Sequence, residues 1–455
     1  MTDFERELDA LRDSPKPILG EVFGSELDAA WIAKALSGPT DTKLRKRKIA
    51  RDAIVWLIIA MAIWRDSSIA TVARHIGFAL PGQGKPSDLA DSSISKSRGR
   101  VSHQAMHTLF IDTAKHWYSE VSECEVLFHG LRIFSCDGTT LSLVDTEENR
   151  EEFGGPHNQH GNYGYPKIRL VAMLAASSHL IVDAAFAGYS GKGTGEKTLA
   201  LGMAARLPDR SVMLFDAGLF IGAELWIHHN AGPNRHWLGR IKSDQTYKVL
   251  EDFGHGDELA QVTFTNKARR KYPQLPKTMT VRVLTGVDKD GETIRWMTSL
   301  LDPEAYTKEE LLELYSERWE VELGYRESKV YMLDRTKPLR SQKPDGVCQE
   351  LWGILLAYNL IRFRMAKAAA RVGLEGRRLS FNNALVPLMG FCMGLLWFEP
   401  PKKFEQLLDQ LNQTLSMLVL PPRRKRASYP REVKAHPKTY PVKKQVVNGN
   451  ETAGK

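Results

Sequence analysis

The stretch L-Y-S-E-R-W-E-V-E-L-G-Y-R-E-S-K, Leu314 to Lys329, decides how this chain is read. Laid on a helix at about 100° per residue, Tyr315, Arg318, Glu322 and Lys329 share one face about 60° wide, with Arg326 beside them. Val321 and Leu323 point to either side and can anchor the helix. One reading is a ladder of i,i+4 ion pairs, Arg318–Glu322 and Glu322–Arg326, on a solvated helix. Trp319 and Tyr325 make the segment unusually aromatic for a solvated strut. A carboxylate flanked by Arg and Lys also suits a place where a metal ion meets DNA phosphates.

Two runs upstream end in acids. L-R-I-F-S-C-D (131–137) and S-V-M-L-F-D (211–216) are strand-like and close on Asp137 and Asp216. Burying an unpaired carboxylate costs several kcal/mol, so such an acid wants a partner. One strand-end Asp reads as a turn former. Two on neighbouring strands can hold divalent cations, with Glu322 as a third oxygen donor. K-I-R-L-V-A-M-L (167–174) and L-I-V-D-A-A-F (180–186) read as further strands, and Glu196 to Leu207 as a helix.

The rest divides by texture. Residues 1 to about 125 read as helical. Within them the basic run T-K-L-R-K-R-K-I-A-R-D (42–52) leads into A-I-V-W-L-I-I-A-M-A-I-W (53–64), an apolar run of 12 residues. A membrane span needs about 20, so a buried core helix is expected. S-S-I-S-K-S-R-G-R-V (92–101) reads as a helix whose Lys96, Arg98 and Arg100 either meet phosphates or form a solvated basic face. Residues 236–300 alternate like strands, with a turn at D-K-D-G (288–291). The helical period returns from Thr307 to about Val330, and again from Cys348 to Arg371. Residues 421–455 are rich in Pro, Lys and Arg and read as a tail.

Bulk features narrow the function. The chain has 455 residues, 63 Lys and Arg against 54 Asp and Glu, and a net charge of +9. Residues 421–455 alone carry a net +8, so the other 420 residues are close to neutral, at +1. A basic balance favours an acidic partner such as nucleic acid. The four cysteines, Cys124, Cys136, Cys348 and Cys392, form no C-x-x-C, which excludes a zinc knuckle and a disulfide framework. The N-terminus carries no signal-peptide pattern. The pairs His228–His229 and His157/His160 lack partners at metal-ligand spacing. G-K-G-T-G-E-K-T (191–198) approaches a phosphate-binding loop, but Glu196 replaces its second glycine and would face phosphates where N–H groups are needed. Glu196 reads instead as a helix-start acid or as an auxiliary acid near the metals.

The spacing Tyr315-x2-Arg318-x3-Glu322-x6-Lys329 resembles the complete Y-R-E-K signature of the insertion-sequence-four family of bacterial DDE transposases. Asp137-Gly-Thr-Thr resembles that family's first catalytic acid and Phe-Asp216-Ala-Gly its second. Ala217 stands where the family often has Arg, which weakens any extra phosphate contact there. Residues 43–65, L-R-S-Q-K-P (339–344) and the tail from 421 to 434 also look familiar, so the resemblance runs from about 40 to 440.

The resemblance implies an α/β chain. A ribonuclease-H-like catalytic core (126–242 and 300–345) would be interrupted by a β-rich insertion (243–299). An α-helical N-terminal domain that binds DNA ends (1–125), a helical C-terminal region (346–420) and the basic tail would flank it. About 106 residues separate Asp216 from Glu322, with a β-like middle, which leaves room for that insertion. It further implies a homodimer that pairs two terminal inverted repeats, cuts them through a hairpin and joins the 3′ ends to target DNA. Asp137, Asp216 and Glu322 would hold two Mg²⁺ ions, replaceable by Mn²⁺. Tyr315, Arg318, Arg326 and Lys329 would contact DNA, and Trp296 would stack on a flipped base. No membrane is involved, and the cytoplasm, at the nucleoid, is the expected compartment. A non-enzymatic DNA-binding regulator, a catalytically inactive domesticated relative or another nuclease of the same fold remain alternatives.

Overall fold

The computed structural model describes residues 18–38, 50–77, 91–158, 161–162, 164–204, 206–217, 222–242, 244–287, 291–328, 337–397 and 404–422. The N-terminal part is helical: α1 (Ile18–Phe23), α2 (Ala29–Leu36), α3 (Arg51–Ile63), α4 (Ile69–His75), α5 (Asp91–Ser97) and α6 (His103–Val121). Asp28, Ser68 and Ser102 cap α2, α4 and α6 by accepting a hydrogen bond from a first-turn amide. Helix α3 is apolar all round and buried all round, as a core helix must be. The segment at 92–101 is shorter as a helix than expected: α5 ends at Ser97 and residues 98–100 tighten into a 3₁₀ turn.

The centre is one nine-stranded sheet. Its strands are β1 (Arg132–Ser142), β4 (Lys167–Ala175), β5 (Ile181–Gly188), β6 (Ser211–Phe215), β7 (Arg235–Arg240), β8 (Lys248–Gly254), β9 (Asp257–Thr263), β10 (Thr278–Val287) and β11 (Thr293–Thr298). A small hairpin, β2 (His157–Asn158) with β3 (Gly161–Asn162), stands apart. The sheet order is β5-β4-β1-β6-β7-β11-β10-β9-β8. Strands β1, β6 and β7 are mutually parallel, and β4 is antiparallel to both β1 and β5. Strands β8 to β11 join this sheet edge to edge, through β11 on β7. Between them lie α7 (Glu147–Phe153), α8 (Glu196–Ala204), α9 (Ala223–Asn230) and α10 (Asn266–Lys271).

Beyond the sheet come α11 (Lys308–Ser316), α12 (Trp319–Arg326), α13 (Pro344–Ala370), α14 (Phe381–Trp397) and α15 (Phe404–Ser416). Helix α13 opens at Pro344, four residues before its expected start, because proline's fixed φ and missing N–H suit the first helical turn. It is the spine of the helical half. Gly353 brings it against α3, where a Cβ would lie 3.0 Å from the Ile58 carbonyl oxygen. Arg364 pairs with Glu26 at 2.7 Å below α1. Arg65 and Ser341 both bind Glu350. Arg340 donates to the carbonyls of Ser67 and Met61 at the end of α3. The stretch 339–344 therefore staples the N-terminal helices to α13.

The single helix expected from Thr307 to about Val330 is two helices. The last amide bonds of α11 and the first of α12 are i→i+3, at Glu317, Arg318, Glu320 and Val321. Ser316 Oγ donates back to the Glu313 carbonyl, and the Glu317 carbonyl accepts from Ser135 Oγ as well as from the Glu320 amide. Side-chain hydrogen bonds of this kind bend helices. Among the described residues no helix is long and apolar enough to cross a membrane. The basic run at 42–49, Lys329 and residues 423–455 lie outside the described residues.

Candidate active site

The sheet register brings the two aspartates together. In the parallel ladder of β1 on β6 the last pair is Cys136 with Phe215. The next residue on each strand is therefore an aspartate, Asp137 and Asp216. Asp216 follows the end of β6, as expected. Asp137 does not end its strand: β1 continues to Ser142, because residues 137–142 still pair with β4. Each acid accepts a hydrogen bond from the next amide, Gly138 or Ala217, at 2.7 Å.

Helix α12 lies over β1 and β4, beside this seam. Gly324 allows the close approach, since a Cβ there would meet Leu174 of β4 and stand 3.2 Å from the Tyr358 hydroxyl. Tyr325 fixes it: its buried hydroxyl donates to the Asp137 carbonyl at 2.6 Å and accepts from the Ala172 amide at 3.0 Å. The motif spacing does not give Tyr325 a role; its aromatic character is the only sequence signal.

Four glutamates crowd this region, and their surroundings separate them. Glu317 binds Arg377, Glu320 is fully buried against His179, and Glu327 is paired with Arg362. Glu322 alone of the four remains 37% exposed, with Arg318 Nη1 at 3.0 Å from its Oε1. Burial raises the pKa of Asp137, and the charges of Glu322 and Glu196 add to that rise while Arg318 opposes it. Burial works against Arg318, yet Tyr315, Asp216 and Glu322 outweigh it and raise its pKa. One guanidinium thus serves the charges of all three acids. Its Nε is buried without a hydrogen-bond partner among the described residues.

Tyr315 donates to the Phe215 carbonyl at 3.4 Å, and burial pushes its pKa up to about 12. Trp296 packs edge-on against it with ring centres 5.9 Å apart, half-buried beside Leu284 and Leu300. The main chain of Arg240, at the exposed end of β7, also reaches Tyr315, a neighbour that sequence spacing does not suggest. Arg326 and the ring of Trp319 are exposed on α12.

The N-terminal cations are not part of this cluster. Arg98 does not face solvent: it is buried, with its guanidinium on Gln349, Ser341 and the Gly346 carbonyl at the start of α13. It ties the N-terminal helices to α13 and is not placed to meet a phosphate. Lys96 is exposed and Arg100 is half-buried.

Three carboxylates without thiol or imidazole form an oxygen-only donor set, which suits a hard divalent cation. Among the described residues no three His, Cys, Asp or Glu side chains converge closely enough to hold one ion. The donor chemistry fits, and binding requires the carboxylates to draw together.

The family model for a transposase DDE domain matches residues 128–360, and that for the N-terminal region of insertion element 4 transposases matches residues 19–111. The chain belongs to the IS4 family of DDE transposases. It is 33% identical over 443 residues to the transposase InsG for insertion sequence element IS4 of Escherichia coli K12, which covers 97% of this chain and 96% of the relative. The putative transposase InsZ of the same organism is 30% identical over 224 residues, 49% of this chain and 72% of that protein. A structure of the piggyBac transposase synaptic complex with hairpin DNA superposes with a TM-score of 0.44 at 10% identity, covering 92% of this chain and 88% of that one.

Proposed function

We propose that this IS4-family transposase binds the terminal inverted repeats of its element, cuts them by metal-dependent phosphoryl transfer and joins the 3′ ends to target DNA. The observation that carries the reading is the register that makes Asp137 and Asp216 neighbours after the Cys136–Phe215 pair, with Glu322 on α12 near enough for its charge to act on Asp137. Asp137, Asp216 and Glu322 would hold Mg²⁺, or Mn²⁺ in its place. When bound, such ions supply Lewis acidity to the phosphodiester and its leaving oxygen. The chain's own side chains do the rest. Arg318, Arg326 and Lys329 bind backbone phosphates, and Tyr315 holds the strand beside Trp296. Water attacks first and frees a 3′-hydroxyl, which attacks the opposite strand to give a hairpin; a second water opens the hairpin and frees the 3′-hydroxyl again, and that hydroxyl finally attacks target DNA. Each step is the same displacement at phosphorus with a new nucleophile, so one site serves all of them.

We read 126–242 with 300–345 as a ribonuclease-H-like core and 243–299 as its insertion. The antiparallel meander β5-β4-β1 followed by parallel β6 and β7 supports this. Residues 1–125 would bind DNA ends, 346–420 would brace the core, and the tail would add electrostatic affinity. Pairing two ends calls for a homodimer. The test is cleavage of DNA carrying the inverted repeats that flank the gene, with and without Mg²⁺. Cleavage that requires Mg²⁺ and disappears in Asp137→Asn supports the reading; wild-type nicking by that variant refutes it.

A further inference from the structure

Helix α8 opens on Glu196, and an acid in a first helical turn needs no special cause. Its placement does. The Glu196 carboxyl lies over Gly138, the residue next to Asp137. A Cβ at 138 would overlap the carboxyl carbon and stand 2.7 Å from Oε1. Gly138 does not adopt the positive φ that usually calls for glycine. It weakens the interior of β1, and what it gains is room for this carboxylate.

Glu196 is near enough to Asp137 for its charge to add to the rise that burial causes in that acid's pKa, and like charges repel unless a cation offsets them. Among the described residues Glu196 pairs with Arg169 on β4, with Nε 3.7 Å from Oε1, beyond hydrogen-bond length. Arg169 is committed elsewhere: Nη1 donates to the Thr194 carbonyl at 2.7 Å, and the guanidinium lies over the Tyr189 ring at 5.2 Å. Glu196 therefore sits against β1 at Gly138, in a gap that glycine keeps open, and its side chain is 42% exposed. The mechanism above gives it no task.

We propose that Glu196 is a fourth carboxylate of the centre, an oxygen donor, direct or through water, for the divalent cation beside Asp137. This rests on the metal-dependent reading of the site. Hard divalent cations take six or more oxygen donors, so a fourth carboxylate has coordination positions to fill.

The test compares Mn²⁺ binding to the full chain, followed by the electron paramagnetic resonance signal of free Mn²⁺, with the Mg²⁺ dependence of end cleavage. Glu196→Gln keeps the shape and removes the charge. It is expected to weaken Mn²⁺ binding about tenfold or more. The Mg²⁺ requirement should rise in parallel, with cleavage restored at high Mg²⁺ and DNA-end binding unchanged. Gly138→Ala, which displaces the same carboxyl, should shift the metal dependence the same way, and it stands in if Glu196→Gln does not fold. Wild-type Mn²⁺ and Mg²⁺ curves in these variants overturn the proposal. Asp137→Asn separates the two levels: if it loses metal binding while Glu196→Gln does not, only Glu196 falls. If Asp137→Asn behaves as wild type, the site itself falls.

Discussion

Helix α12 carries acids on two sides, and their charges are balanced in opposite ways. Behind it, Glu320 stands 2.6 Å from His179 Nε2, and Glu327 binds Arg362 and accepts from the Tyr358 hydroxyl at 3.0 Å. Arg377 adds a further cation near Glu317 and Glu320. In front, Asp137, Asp216 and Glu322 share Arg318. The pKa values move apart accordingly. Burial penalises the charge of Glu327, yet Arg362 and His179 hold it down at about 2, while Asp137 is pushed up. Carboxylates matched by protein cations build structure; on the proposed function, those short of cations await one from solution.

The largest effect should come from breaking the back. Arg362→Met leaves Glu327 buried without its main partner and should cost about 3–5 kcal/mol, read by denaturant unfolding. Breaking the front should do the reverse: Glu322→Gln leaves stability nearly unchanged and lowers end cleavage more than about a hundredfold, beyond the range for residues that only support a metal ligand.

The pH dependence sharpens the same contrast. The folded pKa of Glu327 lies below its ordinary 4.5, so its contribution is complete above 4.5 and is lost as pH falls toward 2. Acid unfolding should show this loss, up to about 3 kcal/mol, in the wild type and not in Arg362→Met. Tyr325→Phe bridges the two sides. It removes one hydroxyl from the Asp137 carbonyl and the Ala172 amide, and about 1–3 kcal/mol of stability should go with it. Cleavage should fall too, because Asp137 loses its tie to α12; unaltered cleavage would show that the tie does not position the acid. Deleting residues after Leu420 should have the least effect on chemistry. Metal-dependent cleavage should persist, while DNA affinity and its salt slope fall.

Much of the candidate site is legible in the sequence. The spacing of Tyr315, Arg318 and Glu322, and the two apolar runs ending in Asp137 and Asp216, are local patterns. Their local cause, period and burial, is written in consecutive residues. What misled was also local. A uniform helical wheel runs through residues 316–318, but Ser316 and Ser135 draw the backbone off the helical path there. The basic neighbours of Arg98 suit either a phosphate contact or a solvated face, yet it is buried because α13, some 250 residues away, supplies Gln349 and Ser341.

By itself the sequence determined the family, the strand and helix texture, the candidate acids and the concentration of positive charge in the tail. The tertiary structure decided which glutamates are matched by cations and which is exposed. It also set the Cys136–Phe215 register that makes the aspartates neighbours, and placed Glu196 over Gly138. These depend on pairings between residues far apart in the chain, and such pairings follow from packing and charge in three dimensions.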